Sequence, residues 1–188
     1  MTLNEKLLEG LGKGWELEDL KRIILKDIVE NITEERLRNG ILNDIRQDAY
    51  KKIKFANEEE SGLLIDAALY IIVLAKLARK EGLLYLEYFI EDLPEHLQTP
   101  ILMLIDAWPF EVIAEIATND YWSRDPQGIQ AMISYIYIRG ANYIQKGYSP
   151  DAIKNELETL FPLNWRQEYR EKCKKMEITE IFPKYASI

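Results

Sequence analysis

The chain has 188 residues, of which 47% are hydrophobic and 30% are charged, and its formal net charge is −8. This composition predicts a folded, globular chain and excludes a disordered one. Nucleic acids and anionic membrane surfaces are recognised by clustered Lys and Arg, so the acidic balance disfavours both as partners. It suits a basic protein partner.

Helical periodicity dominates the first third of the chain, and no segment alternates polar and apolar residues long enough to predict a strand. Apolar spacing predicts a helix over 16–31, and Thr33 is placed to cap a second one. Asn57 and Glu60 have the spacing of a capping box, which would start a third helix. The second helix has apolar residues at intervals of four, at Leu37, Ile41, Ile45, Ala49 and Ile53.

The segment 61–80 is the most apolar part of the chain and predicts a buried central helix. Its apolar run, 63–78, contains Asp66 and Lys76 and is shorter than the ~20 apolar residues of a membrane span. We therefore predict no membrane span. Gly82 stands where a left-handed C-cap is expected, and 83–90 predicts a short apolar helix.

Prolines at 94, 100 and 109 divide the middle of the chain, which predicts short helices over 101–107 and 109–118. Asp125 and Pro126 predict the cap and first residue of a long helix that ends at 146. Ser149 and Pro150 predict the start of the next helix, which runs to 160. Asn164 would cap a last helix over 165–176.

These elements predict an all-α fold, an irregular multi-helix bundle around a buried central helix at about 61–80. We predict one helical domain over 1–176, with 1–57 as a candidate N-terminal helical subdomain. The residues 177–188 are predicted to form an extended tail.

The sequence carries little recognisable chemistry. A glycine-rich phosphate loop, a dinucleotide fingerprint, an HExxH motif and a GxSxG elbow are all missing. Cys173 and His96 are the single cysteine and the single histidine, too few for a thiol or imidazole metal site. We therefore predict no catalytic residue, no cofactor and no metal. One cysteine, together with no signal-peptide pattern at the first residues, predicts a cytoplasmic location.

Four residues are candidates for chemistry. His96 follows Pro94 closely and is predicted to be an exposed turn residue. Cys173 is predicted to be an ordinary helix cysteine in a charged stripe; the alternative is a reactive thiol whose pKa is lowered by the neighbouring lysines. Asp66 and Asp106 each interrupt an apolar run, which makes them candidate buried acids. Structural hydrogen bonds or a helix cap are the favoured roles for them, and a pair that serves acid–base chemistry or metal binding is the alternative.

The segment 75–87, AKLARKEGLLYLE, resembles the cytoplasmic loop of motility protein A, the stator subunit of the flagellar ion-channel family. Arg79, Gly82 and Glu87 match the order and spacing of that motif. A second stretch, 139–150, is similar to the family's two glycines followed by a proline. In it, Gly140 would allow a close helix approach and Gly147 the turn at a helix end. The resemblance implies that Arg79 and Glu87 contact charged residues of a protein partner, as their counterparts contact the rotor.

The likeness stops at the membrane part of that family. The chain has no counterpart of its transmembrane helices, and the interval 88–138 is longer than the family's. The resemblance therefore implies a soluble relative of the stator's cytoplasmic portion, without a channel.

Function is left with three hypotheses. The favoured one is a helical protein that binds a protein partner through Arg79 and Glu87 on an exposed, charged corner. The first alternative is a small-ligand binder or enzyme that uses Asp66 and Asp106 inside the bundle. The second is an acidic inhibitor or immunity-type protein for a basic partner. The sequence leaves the partner's identity and any homo-oligomerisation open.

Overall fold

The chain divides into two compact units, Met1–Ile41 and Leu42–Ile188. The structure, a computed structural model, describes residues 40, 42–53, 60–183 and 185. The described architecture is therefore that of the second unit. The predicted helix over 16–31, the Thr33 and Asn57 caps and most of the candidate subdomain 1–57 lie outside the described residues.

The second unit is an irregular bundle of α-helices and short 3-10 helices, and its described residues include no strand. This confirms the predicted all-α class. The helices, in chain order, are α1 (42–53), α2 (Ser61–Glu81), α3 (Glu95–Ile105), α4 (Phe110–Arg124), α5 (Ile129–Gln145), α6 (Pro150–Glu158), α7 (Arg166–Lys175) and α8 (Ile178–Ile181). The 3-10 helices are Leu83–Asp92 and Leu163–Trp165.

Helix α2 is the centre of the bundle, as predicted. It packs against α5, α6, α8 and the 3-10 helix Leu83–Asp92. Leu64, Ile71 and Leu74 are fully buried in it. It is also the one described helix that is long and apolar enough to cross a membrane, but 67% of its most apolar window is buried by the rest of the protein. That burial is typical of the core helix of a bundle.

A glycine lets α5 approach α2 closely. A Cβ placed on Gly140 would lie 2.5 Å from Cδ1 and 2.6 Å from Cγ1 and Cγ2 of Ile71. Real Cβ atoms do not come so near, so a residue without a side chain is required at this position. The close helix approach predicted at Gly140 is therefore confirmed.

The predicted helix boundaries are wrong at two places in the middle of the chain. Pro100 does not end a helix but lies buried inside α3, where its missing N–H costs only the hydrogen bond to the carbonyl of His96. Asp125 does not cap the long helix α5. It has left-handed backbone angles, φ 44° and ψ 60°, and ends α4, while α5 begins after Gly128.

The C-terminal segment also differs from the predicted extended tail. Ile178–Ile181 forms one helical turn, and Phe182 is fully buried. The Phe182 ring lies 4.9 Å from that of Phe89 and 5.8 Å from that of Tyr70, measured between ring centroids. Burial of this aromatic ring anchors the segment, whereas the extended tail was predicted from the general tendency of terminal residues to be poorly ordered.

Candidate functional site

The strongest candidate site is the turn from α2 into the 3-10 helix, residues 79–92, which we name the Gly82 corner. The backbone at Gly82 has φ 93° and ψ 161°, and its N–H donates to the carbonyl of Ala78 at 3.0 Å. The positive φ confirms that glycine ends the helix here. The extended ψ, however, differs from a left-handed C-cap, so the chain leaves α2 and re-enters a tight 3-10 helix at once.

Both residues implied by the stator-like motif are exposed at the Gly82 corner. Arg79 lies in the last turn of α2, and Glu87 lies in the middle of the 3-10 helix. Within the described residues, neither side chain makes a hydrogen bond or an ion pair. Neither residue is therefore used to cap a helix or to join two elements of the fold.

Exposed apolar side chains accompany these charges. Leu84 is 71% exposed and Tyr88 is 64% exposed. Both line a shallow groove together with Glu81, Tyr85 and Glu87. Glu87 thus lies directly beside apolar surface, whereas Arg79 is not one of the described residues that line the groove. Apolar surface next to charge is typical of a protein-binding site.

The C-terminal segment supports the Gly82 corner from one side. Lys80 Nζ donates to the hydroxyl of Tyr185 at 2.8 Å and pairs with Glu81 Oε1 at 2.9 Å. These two contacts raise the pKa of Lys80 above its ordinary value. The Tyr185 ring also packs edge-on against the ring of Tyr85, at 6.4 Å between centroids. The corner is therefore held by side chains of both its own elements and the chain end.

The second motif stretch, 139–150, serves internal contacts. The Arg139 guanidinium donates to the Tyr143 hydroxyl at 2.9 Å, and that hydroxyl donates to Glu156 at 3.3 Å. Gly147 has φ 67° and ends α5, as predicted. Ser149 accepts the N–H of Ala152 at 3.1 Å and caps α6. The described contacts give this stretch a structural role.

Neither Asp66 nor Asp106 is a buried acid, so the predicted burial is wrong for both. The Asp66 side chain is 55% exposed and lies 3.7 Å from Lys172 Nζ. It occupies the strip of α2 that faces α7 and solvent. Asp106 is exposed and ends α3, where its N–H donates to the carbonyl of Leu102 at 2.9 Å. An acid in an apolar run can mark the wet edge of a helix or its end, and both cases occur here.

A polar cluster of Asp48, Lys52, Tyr121 and Asp125 joins α1 to α4 and was not predicted from the sequence. The Tyr121 hydroxyl, on a fully buried residue, donates to Asp48 Oδ2 at 2.6 Å. Lys52 Nζ bridges Asp48 Oδ2 at 2.8 Å and Asp125 Oδ1 at 2.7 Å. Burial opposes the charge on Asp48, but the hydrogen bonds from Lys52 and Tyr121 outweigh it and lower the pKa of Asp48. Tyr121 and Asp48 are 73 residues apart, so no local sequence pattern predicts their contact. The available signal was that Tyr121 lies on the buried face of α4, where a tyrosine hydroxyl needs a hydrogen-bond partner.

The remaining candidates offer no reactive centre. Burial raises the pKa of the Cys173 thiol, although a hydrogen bond with Tyr169 and nearby lysines act in the opposite direction. A raised pKa agrees with the predicted ordinary helix cysteine and contradicts the alternative of an activated thiol. His96 is exposed, as predicted, but it belongs to the first helical turn of α3 and not to a loop between helices. No group of three or more His, Cys, Asp or Glu side chains in the described ranges could hold a metal ion.

Comparisons with protein-family models, with curated proteins and with solved structures find no match to this chain. The assignment of function therefore depends on the residues of the chain and their geometry.

Proposed function

We propose that this protein acts by binding a protein partner at the Gly82 corner. The observation that carries the proposal is the joint exposure of unpaired charge and apolar surface. Arg79 and Glu87 have no partner within the described chain, and Leu84 and Tyr88 expose most of their surface beside Glu87. The resemblance of 75–87 to the stator motif supports the same assignment, because the matching residues of that family face a protein.

The chemistry of the corner defines the partner. Leu84 and Tyr88 would contact an apolar side chain, and burying such residues supplies most of the binding free energy at interfaces. Glu87 and the neighbouring, exposed Glu91 call for a cation on the partner, and Arg79 calls for a carboxylate. Charges of this kind set orientation and association rate more than affinity. The partner is therefore a protein surface with an apolar side chain between a cation and an acid.

The chain's other features agree with a cytoplasmic partner of this kind. Its net charge of −8 would steer a basic protein toward it at low salt. The single cysteine, Cys173, is free, which suits a reducing compartment. We propose that this interaction takes place in the cytoplasm.

A site-specific crosslink would test the location. A photoreactive phenylalanine analogue replaces Tyr88 in the full chain, and a matched chain carries it at Tyr148, which is 43% exposed on another part of the surface. Irradiation in an extract of the source cells is expected to give a discrete protein adduct from position 88 only. The same adducts from both positions, or an adduct formed only with a second copy of this chain, would contradict the proposal.

A charge swap would then test the mechanism with the purified partner. The double variant Arg79→Glu, Glu87→Lys keeps the net charge at −8 and so leaves long-range steering unchanged. It should weaken the complex by about tenfold or more, since two contact pairs become repulsive. The control swap Lys174→Glu, Glu171→Lys changes two exposed charges on α7 and should leave the dissociation constant unaltered. Equal affinities for the wild type and the corner swap would rule out charge docking at Arg79 and Glu87.

A further inference from the structure

A partly enclosed pocket lies among α3, α4 and α5, on elements other than the Gly82 corner. Its volume is about 220 Å³. Half of its lining residues are apolar, among them Met103, Ile113 and Ile138, and the other half are polar or charged. Concave apolar sites with a few polar groups are where proteins bind small molecules. The volume exceeds the ~150 Å³ that accommodates benzene, so it suits one ring with a short chain.

One hydroxyl on the wall of this pocket is open to a ligand. Ser134 is only 4% exposed and lines the pocket from α5. Within the described residues, its hydroxyl makes no hydrogen bond. The hydroxyl oxygen is not one of the fully buried side-chain atoms that lack a partner, so it is reached from the pocket and can bond what enters it. A ligand that carries a hydroxyl of its own would supply the missing hydrogen bond.

The mouth of the pocket carries an excess of negative charge. Two carboxylates, Glu95 and Asp120, and one guanidinium, Arg124, line the pocket together with the exposed imidazole of His96, so negative charge is in excess while that imidazole is neutral. Nε and Nη2 of Arg124 both bind Oδ2 of Asp120, at 2.8 and 2.6 Å. Oδ1 of Asp120 and the Glu95 carboxylate therefore take no hydrogen bond from this arginine. A ligand with a positive charge at the mouth fits this arrangement better than an anion.

We propose that this pocket binds a small phenolic amine. The aromatic ring occupies the apolar interior, and its hydroxyl forms a hydrogen bond with Ser134. The protonated amino group lies at the mouth, between Glu95 and Asp120. This site is independent of the protein-binding corner, and it replaces the predicted ligand site at Asp66 and Asp106, whose carboxylates are exposed.

Calorimetric titration of the full chain with tyramine would test the proposal. Saturable binding is expected, with para-ethylphenol, which lacks the amine, binding at least about tenfold more weakly because the charge contact is lost. Phenethylamine, which lacks the ring hydroxyl, should also bind more weakly. Asp120→Asn should reduce tyramine affinity, whereas Glu115→Gln, an exposed carboxylate of α4 that does not line the pocket, should not.

A steric variant separates the pocket from adventitious surface binding. Thr99 is exposed and lines the pocket, so Thr99→Trp blocks the mouth without placing new volume in the core. This variant should lose tyramine binding while keeping its helical circular dichroism and its denaturation midpoint. Absence of saturable tyramine binding, equal affinity for tyramine and para-ethylphenol, or undiminished binding to a folded Thr99→Trp variant would each overturn the assignment.

Discussion

Replacing Gly140 with alanine tests the tightest contact in the bundle, between α5 and the central helix α2. The added Cβ would meet three atoms of Ile71 at 2.5–2.6 Å. Ile71 is fully buried, and a β-branched side chain in a helix has essentially one χ1 rotamer, so it cannot swing aside. One side chain or one helix must therefore shift.

The expected cost follows from two opposing terms. Overpacking of a close-packed core costs about 1–3 kcal/mol. Alanine in place of glycine in a helix interior contributes about 1 kcal/mol of stability. Gly140→Ala should thus lower the free energy of unfolding by about 1 kcal/mol, with a range from near zero to about 2 kcal/mol.

A matched substitution isolates the packing term. Gly62 lies in the first turn of α2 and has no atom within 4 Å of an added Cβ, so Gly62→Ala gains helix propensity without overpacking. Urea denaturation followed by circular dichroism should place the two alanine variants on opposite sides of the wild type, or at least about 1 kcal/mol apart.

A second-site change checks the cause. Ile71→Ala removes all three contacting atoms and alone should cost about 2–5 kcal/mol, as for other buried large-to-alanine changes. In the double variant, the Cβ at 140 occupies part of the space that Ile71 vacates, so the two costs should sum to more than the measured loss by about 1 kcal/mol. Strict additivity, or a Gly140→Ala variant as stable as Gly62→Ala, would show that α2 and α5 do not approach this closely.

Two further predictions concern titratable groups. Asp48→Asn should destabilise the fold by about 1–3 kcal/mol at neutral pH, because the buried Tyr121 hydroxyl and Lys52 lose a charged acceptor. The folded pKa of Asp48 lies below its ordinary 3.8, so this difference is fully present above that pH and should shrink as the pH falls through the folded pKa; a pH-independent difference in urea midpoints would contradict it. Cys173 has a raised pKa, so it should react with Ellman's reagent at pH 8 at least about tenfold more slowly than in urea, and equal rates would refute its burial.

The parts of the fold that followed from sequence are those with local causes. Local hydrogen bonds and backbone angles determine the helix ends at Gly82 and Gly147 and the helix start at Ser149–Pro150. The burial of 61–80 could be predicted because nearly every residue of that run is apolar. Gly140 was predicted to allow a close helix approach because glycine has no Cβ. Its contact with Ile71 shows that the reason was packing.

The helix boundaries and the C-terminal tail were predicted wrongly because contacts between residues distant in sequence determine them. Pro100 is tolerated inside α3 because its rigid φ is already helical and only one hydrogen bond is lost. Asp125 ends α4 with left-handed geometry and pairs with Lys52, a residue far away in sequence. The C-terminal turn forms because Phe182 finds an aromatic pocket. Sequence periodicity reports the average face of a helix, and it cannot identify these single long-range contacts.

Some candidate sites could be predicted from sequence and others could not. Arg79 and Glu87 were identified from the resemblance, and the structure adds the exposed apolar surface beside Glu87. The pocket at Ser134 could not be predicted, since its walls come from three helices and an apolar residue has the same pattern in a core as in a pocket wall. Burial was predicted wrongly for Asp66 and Asp106, because a residue with apolar neighbours in sequence can still face solvent.

Arg79 and Glu87 make no ion pair within the described residues, whereas other charged side chains of the bundle form ion pairs that stabilise the fold. Glu158 binds Arg170, with Nε at 2.9 Å, and that contact lowers the pKa of Glu158, so its ionised form contributes to stability. Arg79 and Glu87 have no such contact in the described chain, and exposed charges of that kind change stability by only a few tenths of a kcal/mol, roughly up to 0.5. Arg79 lies in the last turn of α2, where a cation is favourable, so the corner swap should lower the free energy of unfolding by no more than about 1 kcal/mol. A loss of partner binding by the folded variant would then report on recognition, because neither side chain joins two elements of the fold.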